Sequence, residues 1–308
     1  MAGPSRFFLL GPTASGKTSV ALALAPQLNA EILSMDSMLV YQSMDLGTAK
    51  PGLEEQATVP HHLIDLVPPK EEYSVARWMA EVERVEKGLA GKNSLFVGGT
   101  NLYLKAMTAG LMEMPDLDPA DYSALESIWN DEGGAATSWA ELKRVDLATA
   151  EKIHPNDQRR ILRALAVWRG TGRSLSSWQE QWRETPPDFR GVALAWPREV
   201  LRERVATRFK EMLNLGFIEE VSVIQKEMGF SKTAAKGLGY AQILDFLNGK
   251  CSLEEASEKA INLTRTYIRR QMTWLRSFPN LHWLEMENKS PELIAQESAI
   301  LLLQEVSP

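Results

Sequence analysis

The sequence predicts an α/β protein with a parallel sheet, and two observations support that prediction. Short apolar runs that end in Gly, Asp or Pro recur along the chain, and helical patterns lie between them. Strands of a parallel sheet look like such runs because crossover helices cover both of their faces. The predicted strands are residues 7–10, 31–35, 94–97, 192–196 and 281–285. The helices predicted most clearly are residues 19–25, 199–212 and 253–275, the last of which Pro279 is expected to end.

Composition limits the classes of function. A chain of 308 residues can form one large domain with an insertion, or two domains. Its net charge of -6 argues against bulk electrostatic coating of nucleic acid, so any such contact must be local. The single cysteine, Cys251, excludes an internal disulfide and a thiolate-rich zinc site, and it fits a reducing compartment. We therefore expect a cytoplasmic protein with no zinc, and the apolar runs are too short to predict a membrane span.

One stretch differs in composition from the rest of the chain. Residues 113–142 contain eight acidic residues and no Lys or Arg, and they open with a segment rich in Pro and Asp. From there to about residue 187 the patterns are helical. The sequence therefore predicts a core of residues 1–112 and 191–308, interrupted by a helical insertion of residues 113–190.

A glycine-rich loop follows the first predicted strand. The segment GPTASGKT, residues 11–18, fits the pattern G-x-x-x-x-G-K-[ST] between a strand and a helix. Backbone N–H groups and Lys17 would supply positive charge to phosphate oxygens, and Thr18 offers a hydroxyl to Mg²⁺. The residues predicted to bind a diphosphate here are Gly11, Thr13, Ala14, Ser15, Gly16, Lys17 and Thr18. Loops of this kind bind ATP and other nucleotides, so kinases, NTPases and transferases with a diphosphate leaving group stay open.

The ends of two later strands carry further candidates. An ordinary NTPase has a metal-organising Asp after a later strand, but here residues 94–97 lead into Gly98, Gly99 and Thr100. The nearest carboxylate at a strand end is Asp36, which we expect at the carboxyl edge of the sheet, across the cleft from the loop. Helix capping is an equally good interpretation of Asp36, and an N-cap is the alternative for Thr100.

Six blocks in order resemble the bacterial tRNA dimethylallyltransferase family. They are GPTASGKT at 11–18, DSMLVY at 36–41, GTAKP at 47–51, PHHLID at 60–65, VGGTNLYL at 97–104 and HPNDQRR at 154–160. The resemblance implies a P-loop nucleotide-kinase-like parallel sheet core with a helical insertion domain. It implies a channel that accepts dimethylallyl diphosphate from one end, and from the other the adenine flipped out beside the anticodon of tRNA. Mg²⁺ is the implied cofactor.

The resemblance also implies roles for individual residues. Asp36 would accept the proton of the adenine amine, and Thr100 would help the loop and Mg²⁺ to stabilise the leaving diphosphate. Arg204 and Arg208, one helical turn apart, would close over the diphosphate; the alternative is a solvated basic face paired with Glu203 or Glu211. The implied tRNA contacts are Asp36, Ser37, Met38, Leu39, Gln158, Arg159, Arg160, Ile161, Leu162 and Gln271.

One block departs from the family pattern, and other functions stay open. Where the family usually has Gly-Tyr-Arg-Gln, this chain has Ala241 in place of the arginine, so the role of residues 239–242 is in doubt. The first alternative is an adenylate isopentenyltransferase that uses free AMP, ADP or ATP. The second is a small-molecule kinase, and the third is a nucleotide-gated binding module. The helical insertion with its HPNDQRR block favours a large substrate.

Overall fold

The computed structural model describes residues 4–111, 118–180, 189–278 and 280–304. These residues form a six-stranded sheet in the order β3-β2-β4-β1-β5-β6, and every neighbouring pair is parallel. The predicted α/β class with a parallel sheet is confirmed. The strands are β1 (Arg6–Leu10), β2 (Ala30–Met35), β3 (His61–His62), β4 (Asn93–Gly98), β5 (Gly191–Ala195) and β6 (Leu281–Glu285).

Helices connect and cover the strands. The longest, α13, begins with a capping box between Ser252 and Glu255 and ends at Leu275, whereas Pro279 lies outside the described residues. The helices are α1 (Lys17–Leu24), α2 (Leu53–Thr58), α3 (Val75–Gly88), α4 (Asn101–Ala109), α5 (Pro119–Asn130), α6 (Gly134–Val145), α7 (Leu147–Ala150), α8 (Gln158–Thr171), α9 (Leu175–Gln179), α10 (Arg198–Asn214), α11 (Phe217–Val223), α12 (Tyr240–Leu247), α13 (Leu253–Leu275) and α14 (Pro291–Leu303). In the four described stretches, none of these helices is both long and apolar enough to cross a lipid bilayer.

Strand β1 shows why the apolar runs form central strands. Phe7 and Leu9 point to one side of the sheet, where α1 and α14 cover them, and Phe8 and Leu10 point to the other, where α3 packs. All four side chains are buried. Both faces of the strand therefore have to be apolar, which produces a continuous run instead of an alternating pattern.

The chain divides into two compact units. One contains Met1–Thr108 and Thr185–Pro308, and the other contains Ala109–Glu184. In the second unit, α5, α6 and α8 bury a core that includes Leu125, Leu142 and Leu165. The insertion expected at residues 113–190 stays a prediction, and residues 112–117 and 181–188, which include its start, lie outside the described part of the chain.

The segment after β2 is held by a carboxylate of α11. Glu220 accepts hydrogen bonds from the backbone N–H groups of Asp45, Leu46 and Gly47, at 3.1, 2.7 and 3.4 Å, and from the Tyr240 hydroxyl at 2.5 Å. A Cβ atom on Gly47 would lie 2.2 Å from the Phe217 ring, so only glycine fits there. The GTAKP block therefore anchors the segment that begins at Asp36.

Candidate active site

The strand order brings three strand ends to one edge of the sheet. β4 pairs with β1 on one side and with β2 on the other, all in parallel. The loop of residues 11–18 follows β1, Thr100 follows β4, and Asp36 follows β2. The predicted position of Asp36 at the carboxyl edge of the sheet is therefore the one that the structure shows, with β4 between it and the loop.

The loop leads directly into α1, and its lysine folds back over it. Gly16 adopts a left-handed conformation with φ of 86°, and α1 begins at Lys17. The Lys17 ammonium donates to the carbonyl oxygens of Gly11 and Pro12 at 3.0 and 2.7 Å. Burial lowers the pKa of Lys17 to about 8, while Asp36 acts in the opposite direction and Arg208 adds to the lowering. The ammonium is therefore desolvated and held by neutral groups, which an anionic ligand can replace.

Two side chains, one directly after β5 and one from α10, fix the loop from outside. Trp196 Nε1 donates to the Ser15 carbonyl at 2.9 Å, and Arg204 Nε donates to the Ala14 carbonyl at 2.8 Å. The guanidinium of Arg204 stacks over the Trp196 ring at 4.8 Å from its centroid. Arg204 is exposed overall, but these two contacts tie its side chain to the loop. Trp196 was placed at a strand end by the sequence, without a role at the loop.

A cavity of about 450 Å³ lies between the loop and α10. Arg208 lines it one turn after Arg204, and burial lowers the pKa of Arg208 although Asp36 opposes the shift. Two arginines and a lysine thus lie near one loop, which is an arrangement that can hold a diphosphate. The lining residues are Ala14, Gly16, Val200, Glu203, Arg204, Thr207, Arg208 and Glu211.

Asp36 and Thr100 are joined through the backbone of Ser37. Asp36 Oδ1 accepts the Met38 N–H at 2.9 Å, and Thr100 Oγ1 accepts the Ser37 N–H at 3.1 Å. The next helix after Asp36 is α2, which begins at Leu53, so the helix-cap interpretation of Asp36 is wrong. Asp36 closes a tight turn instead. The Thr100 hydroxyl likewise holds the β2 end, although the residue directly precedes α4.

The two positions before Thr100 must be glycine, because neighbouring atoms leave no room for a Cβ atom. A Cβ on Gly98 would lie 2.3 Å from the Met35 carbonyl oxygen, and one on Gly99 would lie 2.4 Å from Gln271 Nε2. Gln271 belongs to α13 and is 3% exposed. Its Oε1 accepts the Thr13 N–H at 3.0 Å and its Nε2 donates to the Gly99 carbonyl at 2.8 Å. Gln271 was expected to contact tRNA, but both ends of its amide are bonded to backbone.

Of the other predicted tRNA contacts, residues 36–39 form the turn after β2 and residues 158–162 lie at the start of α8, in the unit of Ala109–Glu184. Asp157 caps this helix by accepting the Arg160 N–H at 3.3 Å. Arg159 and Arg160 are exposed, and Gln158 is partly exposed. Ile161 and Leu162 are 0% exposed and belong to the unit's apolar core. The helix therefore turns these two side chains inward, and their predicted part in binding tRNA stays a prediction.

The segment that departs from the family pattern has structural contacts. Tyr240 is buried, and its hydroxyl donates to Glu220, while Gln242 accepts the Gly239 N–H at 2.9 Å at the start of α12. Burial raises the pKa of Tyr240, and the neighbouring Glu220 raises it further. Ala241 is partly exposed between these two anchors. The segment's fold is therefore set by residues on either side of Ala241.

The side chains at the loop fit a metal ion that takes most of its ligands from water and substrate. Within residues 4–111, 118–180, 189–278 and 280–304, three or more His, Cys, Asp or Glu side chains nowhere converge to hold a metal ion. Thr18, in the first turn of α1, offers one hard oxygen and is partly exposed. Mg²⁺ commonly keeps several water molecules and binds one or two protein oxygens plus substrate phosphates, so this donor fits it.

Comparison with known proteins identifies the family. Residues 39–278 match the profile of the family described as IPP transferase. The chain belongs to the IPP transferase family. This confirms the family resemblance and the expectation that the chain is a transferase. The matched range covers most of the chain.

Individual relatives agree with this assignment. The chain is 42% identical over 302 residues to a tRNA dimethylallyltransferase of Thioalkalivibrio sulfidiphilus, in an alignment that covers 94% of this chain and 93% of the relative. A solved tRNA isopentenylpyrophosphate transferase of Bacillus halodurans is 32% identical, with a TM-score of 0.71 over 96% of this chain and 94% of that one. A eukaryotic dimethylallyltransferase acting on tRNA is 26% identical, with a TM-score of 0.78 over 99% of this chain and 82% of that one.

Proposed function

We propose that this IPP transferase moves a dimethylallyl group from dimethylallyl diphosphate to the exocyclic amine of the adenine adjacent to the anticodon in tRNA, and releases diphosphate. One geometric observation supports this most. The phosphate loop after β1 and the Asp36–Thr100 pair after β2 and β4 meet at one edge of the sheet. A group that holds a diphosphate and a group that accepts a proton are thus separated by one strand.

The cationic side supports departure of a diphosphate. As the allylic carbon–oxygen bond breaks, negative charge gathers on the leaving oxygens. Lys17, Arg204 and Arg208 lie at the loop before the ligand arrives, two of them with pKa values lowered by burial. Preorganised charges of this kind act strongly because little reorganisation is needed during the reaction. Thr18 is the residue that would hold Mg²⁺, which neutralises diphosphate charge when bound.

The carboxylate side supports attack by adenine. The exocyclic amine of adenine is a weak nucleophile, because its lone pair is delocalised into the ring. A carboxylate that accepts the amine proton as the new carbon–nitrogen bond forms contributes about 10²–10⁴ in rate. Asp36 has this role in our proposal, and the turn through Met38 fixes its orientation. The adenine must leave its stack in the anticodon loop to reach this position.

Recognition of tRNA is assigned to local features. The net charge of -6 leaves attraction to RNA to clusters such as Arg159 and Arg160 at the start of α8, together with the turn formed by residues 36–39. The helical insertion, residues 113–190, is proposed as the part that contacts the anticodon stem-loop. Since tRNA is the proposed substrate, the cytoplasm is the proposed compartment.

A competition experiment tests the proposal. Purified protein receives dimethylallyl diphosphate, Mg²⁺ and equal concentrations of an anticodon stem-loop and AMP, and mass spectrometry identifies the prenylated product. We expect product on the stem-loop adenine only, and slow hydrolysis when ATP is offered alone. Preference for AMP would assign the chain to the adenylate isopentenyltransferases. Rapid ATP hydrolysis with an untouched stem-loop would favour a kinase or NTPase.

A further inference from the structure

One buried side chain connects the phosphate loop with the loop that carries Thr100. Gln271 accepts the Thr13 N–H through Oε1 and donates to the Gly99 carbonyl through Nε2, at 3.0 and 2.8 Å. Thr13 belongs to the loop after β1, and Gly99 belongs to the loop after β4. A glutamine amide has one accepting end and one donating end. Here the accepting end faces an N–H group and the donating end faces a carbonyl oxygen, so both ends are satisfied.

The connection continues to the proposed proton acceptor. Gly99 directly precedes Thr100, whose hydroxyl accepts the Ser37 N–H at 3.1 Å, and Ser37 directly follows Asp36. The space around Gly99 is closed, since an added Cβ would lie 2.4 Å from Gln271 Nε2 and 2.8 Å from the Gly11 carbonyl oxygen. A change at Gln271 therefore acts on the spacing between the loop and Thr100.

A tyrosine of the same helix reinforces the connection. Tyr267 lies one turn before Gln271 on α13, and its hydroxyl lies close to the side chains of Thr100 and Gln271. Burial raises the pKa of Tyr267 to about 12, with the nearby Asp36 adding to the shift. The hydroxyl is thus protonated at neutral pH. Two residues of α13 face the junction of the two loops.

We infer that Gln271 is a positioning residue for prenyl transfer, which holds the phosphate loop and the Thr100–Asp36 side at the separation that the reaction needs. This inference rests on the proposed function and replaces the expectation that Gln271 contacts tRNA. A displacement of about 1 Å between reacting groups can lower a rate by about 10²-fold. The bonds made by Gln271 fix the two loops that hold those groups.

The polarity of the amide provides a sharp test. In Gln271→Glu, an ionised carboxylate still accepts the Thr13 N–H but repels the Gly99 carbonyl. A protonated carboxyl group donates to Gly99 again and restores both contacts. Because a buried carboxyl group has a raised pKa, this change should occur within an accessible pH range. We expect the ratio of variant to wild-type kcat to be about 0.1 or lower at pH 8 and to rise toward 1 at pH 6.

A second variant, Gln271→Met, removes the hydrogen bonds to Thr13 and Gly99 while keeping a side chain of similar size. Gln271→Met should lower kcat about 10- to 100-fold at every pH, with little change in KM for the stem-loop. Pyrophosphate binding, followed by titration calorimetry, should weaken in Gln271→Met and follow the same pH trend in Gln271→Glu. Tyr267→Phe should lower kcat less than either. Gln27→Glu makes the same chemical change at an exposed turn, and its ratio to wild type should stay near 1.

The outcomes separate the inference from the proposed function. A pH-independent ratio for Gln271→Glu, or wild-type kcat and pyrophosphate affinity in Gln271→Met, overturns the positioning role. A raised KM for the stem-loop with unchanged kcat and pyrophosphate affinity would restore the direct tRNA contact. If the wild type transfers no prenyl group, the proposed function fails, and the pyrophosphate titrations alone decide whether Gln271 sets the loop.

Discussion

In two regions of the molecule, a buried polar side chain joins two backbone segments, and we expect the two to serve different purposes. At the sheet edge, Gln271 joins the loops that contain Thr13 and Gly99. In the helical unit, Asp146 is 4% exposed and joins two segments by accepting the N–H groups of Thr149 and Ser176, at 3.0 and 2.9 Å. One buried polar side chain bridges two stretches of backbone in both cases.

The surroundings of the two bridges differ. The loop that Gln271 holds has desolvated cations beside it, since burial lowers the pKa values of Lys17 and Arg208. The unit around Asp146 is built instead on an apolar core with Leu142. Buried cations without carboxylate partners cost stability, whereas a satisfied cap contributes to it. We therefore expect substitutions at the sheet edge to change turnover and binding, and substitutions at Asp146 to change the free energy of unfolding.

The largest effect is expected at Asp36. Asp36→Asn keeps an oxygen for the Met38 N–H but removes the proposed proton acceptor, so kcat should fall about 10²–10⁴-fold. Pyrophosphate affinity should stay the same or increase, because a negative charge near Lys17 is lost. Single-turnover kinetics and calorimetric titration measure the two quantities. Unchanged turnover would remove Asp36 from the mechanism, and a large loss of unfolding free energy would make it structural.

The next effect concerns the loop cation. Lys17→Met removes a charged donor to the ligand, and pyrophosphate affinity should weaken about 10- to 100-fold. The free energy of unfolding should not fall, because the ammonium is desolvated in the folded protein. Calorimetry and urea unfolding measure these quantities. A variant that binds normally but unfolds more easily would contradict the contrast between the two regions.

The pH dependence of wild-type binding sharpens this prediction. With a pKa of about 8, Lys17 is charged below pH 8 and loses its proton above it, so binding then requires proton uptake. The ratio of wild-type to Lys17→Met affinity should be constant below pH 8 and should fall as the pH rises above it. Taking the ratio removes the ionisation of pyrophosphate itself. A ratio that is flat up to pH 9.5 would contradict the lowered pKa.

The matching substitution in the helical unit should act on stability. Asp146→Ala removes two hydrogen bonds to a carboxylate and should lower the free energy of unfolding by about 2 kcal/mol, with pyrophosphate affinity unchanged. Burial acts to raise the pKa of Asp146, but bonds from Thr149 and Ser176 outweigh it and hold the pKa below its ordinary value of 3.8. The stabilisation is therefore complete above that value and is lost as the pH falls through the lower, folded-state pKa.

Denaturant unfolding at several pH values checks this prediction. The difference between wild type and Asp146→Ala should be constant from pH 8 to about 5 and should shrink below pH 4. Asp131→Ala, at an exposed position of the same unit, is the matched control and should change stability little. Reduced pyrophosphate affinity in Asp146→Ala would contradict the prediction that Asp146 affects stability alone.

The smallest effect is expected at Trp196. Trp196→Phe keeps an aromatic surface under Arg204 but loses the bond to the Ser15 carbonyl, which contributes about 1 kcal/mol. Pyrophosphate affinity should weaken about 3- to 10-fold, while stability should change little. Titration calorimetry with the wild type as reference decides the matter. An affinity equal to that of the wild type would show that the bond from Trp196 to Ser15 does not contribute to binding.

The sequence predicted the central strands because burial on both faces dictates their composition. β1, β2, β4 and β5 were placed to within one residue at each end, and β6 was placed without error. β3 was missed, since it consists of His61 and His62 alone and has no apolar run. β3 pairs with Ile32 and Leu33 of β2 through backbone hydrogen bonds, which a pattern of side chains in one sequence does not reveal.

For the site, local patterns predicted positions but not contacts. The pattern of residues 11–18 and the strand ends at Asp36 and Thr100 were sufficient to place one sheet edge. The bond from Gln271 to Thr13 spans 258 residues, so no local spacing indicates it. Ile161 and Leu162 were taken as contacts because they adjoin a basic block, although their apolar character already favoured the core.

Glu220 occupies a group of backbone N–H donors that could otherwise bind an anion from solution. The successive N–H groups of Asp45, Leu46 and Gly47 point at one spot and form an anion-binding nest of the kind found in phosphate sites. The carboxylate of Glu220 fills that nest from within the same polypeptide. Pyrophosphate should therefore saturate at one equivalent per chain. In the described part of the chain, the loop of residues 11–18 and this nest thus both offer N–H groups to negative charge, and the nest is filled by the chain's own carboxylate.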